Sequence, residues 1–137
     1  MTKKLCLVGC FTSLLWLISP VLQADHFSGH VDVKVGTLSD RAQLGQTVFN
    51  NNCAACHGQN AAGTRQGPPL IHNLYNPGHH GNDAFYSAIK KGVRQHHWPY
   101  GNMPPQKQVG FFEMSALLVF IRELQEQNGI VFQEHKM

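Results

Sequence analysis

The chain has 137 residues, with 11 Lys and Arg against 8 Asp and Glu and a formal charge of +3. That length suits one domain with a limited apolar core, and so small a charge gives no footing for nucleic acid as a partner. Lys3 and Lys4 open the chain, and residues 5–22 are an almost uninterrupted apolar run, broken at Ser19-Pro20 and followed by Ala24. This pattern predicts a secretory signal peptide, residues 1–24, cut after Ala24. Cleavage would remove both lysines and leave the charge close to neutral. Two alternatives stand beside it. Leu7-Val8-Gly9-Cys10 matches a lipoprotein box, although too few apolar residues precede it. The apolar run is also long enough, at the short end, for an uncleaved membrane anchor.

Residues 25–38 carry Gly29, Gly36 and alternating Val31, Val33 and Val35, which fits a short strand or a loose N-terminal arm. Ser39 is placed to cap a helix with Asp40 in its first turn. Leu38, Ala42, Gly45 and Phe49 recur at helical spacing, and the helix is expected to stop near residues 50–52. Gly45 within it costs roughly 1 kcal/mol against alanine, which predicts close packing there. Residues 58–69 read as a glycine-rich loop, and 71–81 as irregular chain with a turn at Pro77-Gly78. Asn82 is the expected cap of a second helix over 83–91, with Ala84, Phe85, Ala88 and Ile89 on its apolar side and Gly92 as its stop. Residues 93–110 return to loop. A last helix is expected over 111–127, with a broad apolar stripe of Phe112, Met114, Ala116, Leu117, Val119, Phe120, Ile121 and Leu124. It is too short to span a membrane. Gly129 ends it, and a mobile tail is expected over 128–137. The result is an all-α domain over 39–127, with three main helices joined by long loops.

Cys53-Ala54-Ala55-Cys56-His57 lies where the first helix ends. Two thiols one turn apart can form thioether bonds to the two vinyl groups of one haem, and the adjoining histidine can then ligate the iron. A thioredoxin-like redox pair would need a strand leading into the motif, and none is visible. Half of a zinc site would need two more ligands. Cys6 and Cys10 fall in the signal, so only histidines are left to complete one. Export and haem attachment support each other, because covalent attachment in bacteria takes place outside the inner membrane. The apo-chain is expected to be weakly folded.

The ordered features over roughly 39–126 resemble the class I c-type cytochromes, the small monohaem electron carriers. They are the helix before the pentad, the pentad, Gly67-Pro68-Pro69-Leu70, and Gly101-Asn102-Met103-Pro104-Pro105 before a C-terminal helix. The resemblance implies the small cytochrome c fold around one covalent haem c, tethered by Cys53 and Cys56. It implies His57 and Met103 as the axial ligands of the iron. It also implies that the Pro68 carbonyl accepts a hydrogen bond from His57, that Leu70 packs on the haem, and that Gly45, Phe49 and Phe120 meet where the first and last helices cross. A thioether ligand favours ferrous iron, and the prolines after Met103 stiffen its loop. Gly110 stands where a capping residue is usual.

His79, His80, His96 and His97 depart from the simplest pattern. They read as polar loop residues, as a rival axial ligand in His96 or His97, or as a second metal site suited to copper. Adjacent residues in an extended loop point apart, so convergence is not predicted. Lys90, Lys91, Arg94 and Lys107 suit either docking of an acidic redox partner or a solvated face. Together these features predict a periplasmic single-electron carrier that meets redox partner proteins, touching a membrane only if the N-terminal segment stays uncleaved. Its rivals are a haem enzyme such as a peroxidase, an electron-transfer subunit of a dehydrogenase or oxidase, and a copper-handling haem protein.

Overall fold

Residues 31–134 are described by a computed structural model of the chain; the segment expected to be a signal or anchor, with Cys6 and Cys10, lies outside them. Ser39 ends an extended segment and caps α1, Asp40–Asn52, its Oγ accepting from the Ala42 N–H at 3.2 Å. A four-residue helix α2, Ala54–His57, follows α1. Helix α3, Asn82–Lys91, and helix α4, Phe111–Gln127, complete the set, with 3₁₀ turns at Gln59–Ala61 and Asn73–Tyr75. No strand occurs among the described residues, only two isolated bridges. The all-α reading therefore holds, with α2 added to the three main helices. The redox-pair reading of the cysteines loses the β-α-β frame it required.

The core lies where α1 crosses α4. Ala42, Phe49, Phe120, Ile121 and Leu124 are almost wholly buried there, and the rings of Phe49 and Phe120 are 5.8 Å apart. Gly45 explains the crossing. A Cβ at this position would overlap the Ala116 carbonyl and crowd the Phe120 Cβ. The missing side chain lets the backbones touch, which outweighs the propensity cost inside α1.

Four sequence expectations change. Asn82 does not cap α3; Gly81 takes that position, and the Asn82 side chain accepts from Arg122 Nε at 3.1 Å. Phe112 is 80% exposed and lies off the buried stripe of α4. Residues 31–38 form no strand. They dock on the end of α4, with Lys34 N–H donating to Asn128 Oδ1 and Gly36 N–H to Gln127 Oε1. The tail is packed through its described part: Ile130 is buried, and the Gln133 N–H donates to Asn76 Oδ1 at 3.2 Å. At the start of α4, the Glu113 carboxylate takes the Gly110 N–H at 2.7 Å, the one half of a capping box that a glycine cap allows.

Candidate cofactor site

Helix α1 delivers the pentad to one wall of a cavity of about 630 Å³. The Cys53 N–H continues the helical ladder to Phe49, and the Cys53 carbonyl then receives the N–H groups of Cys56 and His57. The pentad thus sits in a tight, bonded turn. Thr64 Oγ1 donates to the Cys56 carbonyl and ties the following loop to it. Cys53 is half-buried and lines the cavity, while Cys56 is exposed. Burial, reinforced by the neighbouring Cys56, pushes the Cys53 thiol up to about 11, so it is a neutral thiol at ordinary pH. Among the described residues, no other histidine or carboxylate gathers with these two thiols into a three-donor group, which leaves the zinc reading without its remaining ligands.

His57 is buried and also lines the cavity. Its Nδ1–H donates to the Pro68 carbonyl at 2.9 Å. Burial lowers its pKa, and the bond to Pro68 works against that shift. The ring is therefore neutral, and its remaining lone pair is on Nε2. Pro68 and Leu70 lie on the same wall, where the Leu70 N–H donates to Ala61.

Met103 reaches the cavity from the 93–110 loop. It pairs with Val93 through two backbone bonds, of 2.9 and 3.0 Å, which fix the loop to the end of α3. Gly92 permits the approach: its φ of +77° suits glycine, and a Cβ there would press on the Met103 carbonyl and Pro105. Apolar side chains from three helices, among them Phe49, Phe85, Ile89 and Leu117, line the rest.

The cavity lining also holds residues that the sequence reading did not connect. Tyr75 and Trp98 are among them. Trp98 Nε1 is buried with no hydrogen-bond partner; it lies near enough to the Tyr75 hydroxyl to lower that group's pKa somewhat, but not in bonding geometry. Burial dominates there and pushes the phenol up to about 12. No local pattern marks these residues, because they come together from two separate loops. His79, His80, His96 and His97 also line the cavity, and the donor nitrogens of His79, His80 and His97 converge, contrary to the expectation for adjacent loop residues, while His96 does not join them.

These residues fit a haem. The cavity lies within the roughly 300–1,000 Å³ of cofactor sites, is chiefly apolar, and offers an oriented imidazole, a thioether and the Cys53 thiol, with the Cys56 thiol exposed three residues further on. The unpartnered Trp98 Nε1–H is a donor awaiting an acceptor, of the kind an acidic haem edge provides.

The comparisons agree. The family model for cytochrome c matches residues 42–125. The fold is similar to that of cytochrome cL from the marine methylotrophic bacterium Methylophaga aminisulfidivorans MPT, with a TM-score of 0.51 and 21% identity over 72% of this chain and 70% of that one. Among curated proteins none matches. The chain belongs to the cytochrome c family, as the class I resemblance implied. Membership brings haem-based electron transfer, covalently bound haem c and dealings with redox partner proteins.

Proposed function

We propose that this chain is a periplasmic single-electron carrier with one haem c, held through thioethers to Cys53 and Cys56 and ligated by His57 and Met103. The observation that carries the reading is the His57 ring. Its Nδ1–H is committed to the Pro68 carbonyl, which leaves Nε2 as the donor in a cavity that Met103 also lines. The bond fixes the tautomer and the ring orientation, as the outer partner of a metal-bound histidine does. When bound, the haem supplies a one-electron iron couple whose potential a thioether ligand raises.

The chain's own residues contribute by staying still. The Val93–Met103 pair and Pro104-Pro105 hold a weak sulfur donor in place, so neither ligand need leave as charge changes. Phe49, Leu70, Phe85 and Leu117 exclude water. No acid, base or nucleophile is required. Lys90, Lys91, Arg94 and Lys107 are exposed around α3 and the 93–110 loop and suit a small, electrostatically guided docking face.

Spectra of the mature protein, made in a host that attaches haem, test this. A weak near-infrared iron–sulfur band in the oxidised form, lost in Met103→Ala, is expected. Intact mass should equal the chain from Asp25 plus one haem. A colourless product overturns the reading; ready cyanide or peroxide binding by the resting protein would favour an enzyme.

A further inference from the structure

The geometry points to a second metal site, separate from the haem ligands: His79, His80 and His97 form a three-imidazole site for a borderline divalent ion of the Zn(II) or Cu(II) class, the spacing suiting tetrahedral Zn(II) and the affinity order favouring Cu(II). One donor nitrogen from each of these residues lies within 4.8 Å of the others. Two nitrogens that share a tetrahedral ion at ~2.0–2.1 Å are about 3.3–3.4 Å apart. His79 Nε2 and His97 Nε2 are 3.3 Å apart. Without an ion the two nitrogens share one long hydrogen bond, and an ion between them would take its place with no movement of the rings.

The rings are also prepared for the task. His80 Nδ1–H donates to the Leu74 carbonyl at 2.8 Å, which puts its free lone pair on Nε2. A backbone carbonyl on one ring nitrogen is the outer partner that orients metal-bound histidines. His96 has the same arrangement, with its Nδ1–H on the Arg94 carbonyl at 2.8 Å. Its ring centroid is 4.3 Å from that of His97, yet its donors lie outside the three-nitrogen group. His96 therefore flanks the site rather than forming it.

Both loops are pinned independently of any ion. Asn76 Oδ1 accepts from the N–H groups of Gly78 and His79, and Arg122 Nη2 donates to the His80 carbonyl. On the facing loop, Asn102 Oδ1 accepts from the Gln95 N–H and Gln95 Oε1 from the Gly101 N–H. Loops held this way lose little freedom on binding, which favours affinity. Three imidazoles and no carboxylate select against Mg²⁺ and Ca²⁺, which prefer oxygen, and the divalent series places Cu²⁺ highest.

The test uses the mature haem protein, freed of extraneous metal by a chelator, loaded with Cu(II) or in parallel Zn(II), and desalted. Metal and iron are then counted together. One copper, or one zinc, per iron is expected, with nitrogen splitting in the copper electron paramagnetic resonance spectrum. His79→Ala/His97→Ala should lower the ratio by one, and the loss of affinity should exceed the ~10–100-fold that removal of an outer partner causes. His96→Ala should leave the ratio unchanged. His97→Ala alone, at an exposed position, gives the same reading if the double variant folds poorly. No retained metal, or an unchanged ratio in these variants, means an adventitious ion only and overturns the site. Loss in His96→Ala overturns the ligand set. Iron content and the haem spectrum report the first site separately, so failure of one reading is distinguishable from failure of the other.

Discussion

Arg122 Nη2 donates to the His80 carbonyl at 2.6 Å, from the middle of α4 to the loop that carries His79 and His80. The same guanidinium reaches Asn82 Oδ1 through Nε and the Tyr75 carbonyl and Gln125 Oε1 through Nη1. It also sits 4.8 Å above the Phe85 ring. One side chain thus sets where the 75–82 segment lies relative to the helix that buries the cavity, and the geometry of both functional regions follows from it.

Arg122→Met should therefore destabilise the protein by about 2–3 kcal/mol, since hydrogen bonds to a charged group are worth roughly 1.5–3 kcal/mol each and this one is only half-buried. Arg122→Lys keeps the charge but not the planar fork. It should recover less than half of the loss in urea unfolding of the haem protein. Full recovery by lysine would mean that charge alone, not directed bonding, holds the loop.

Gly45→Ala gives a test with opposite signs. In an isolated helix the change is favourable by roughly 1 kcal/mol. Here the new methyl meets the backbone of Ala116, which cannot rotate away. Overpacking of this kind costs about 1–3 kcal/mol, sometimes more. A net loss of about 2 kcal/mol is expected in chemical denaturation. A more stable variant would show that the helices cross less closely than described.

These two sites show what the sequence could carry. The pentad, the Ser39 cap and the extent of α4 are local patterns and could be read directly. The odd glycine in α1 pointed to a close approach because its cost was unexplained. The packed tail, the role of Asn82 and the convergence of the histidines depend instead on partners far along the chain. Asn76 meets Gln133, Asn82 meets Arg122, and His79 meets His97. No periodicity encodes such pairings. Gln125 is a similar case: a glutamine in an apolar stripe reads as a surface position, yet it is 1% exposed and donates to the carbonyls of Leu70 and Tyr75.

Ser39 joins both ends of the helix pair. Its Oγ accepts from the Ala42 N–H and donates to Glu123 Oε1 at 2.5 Å, while its own N–H donates to Glu123 Oε2. Ser39→Ala should cost about 1–2 kcal/mol, the upper range for a lost cap. Aspartate caps as well as serine does in general, but Ser39→Asp would set a second carboxylate against Glu123. It should be as harmful as alanine at neutral pH, and Glu123→Gln should rescue it. Equal stability of Ser39→Asp and the parent would show that Glu123 contributes nothing at this junction.

Tyr75 makes stability fall at alkaline pH. Its phenol is pushed up to about 12 by burial against an ordinary value near 10. The folded state therefore holds the proton more tightly than the unfolded chain does. The contribution is fully present below pH ~10 and is lost as pH rises towards 12, on the order of 2 kcal/mol in all. Unfolding free energies measured from pH 9 to 12 should decline more steeply for the parent than for Tyr75→Phe, which has no proton to lose. Parallel curves would place the phenol in contact with water and contradict its half-buried position beside Trp98.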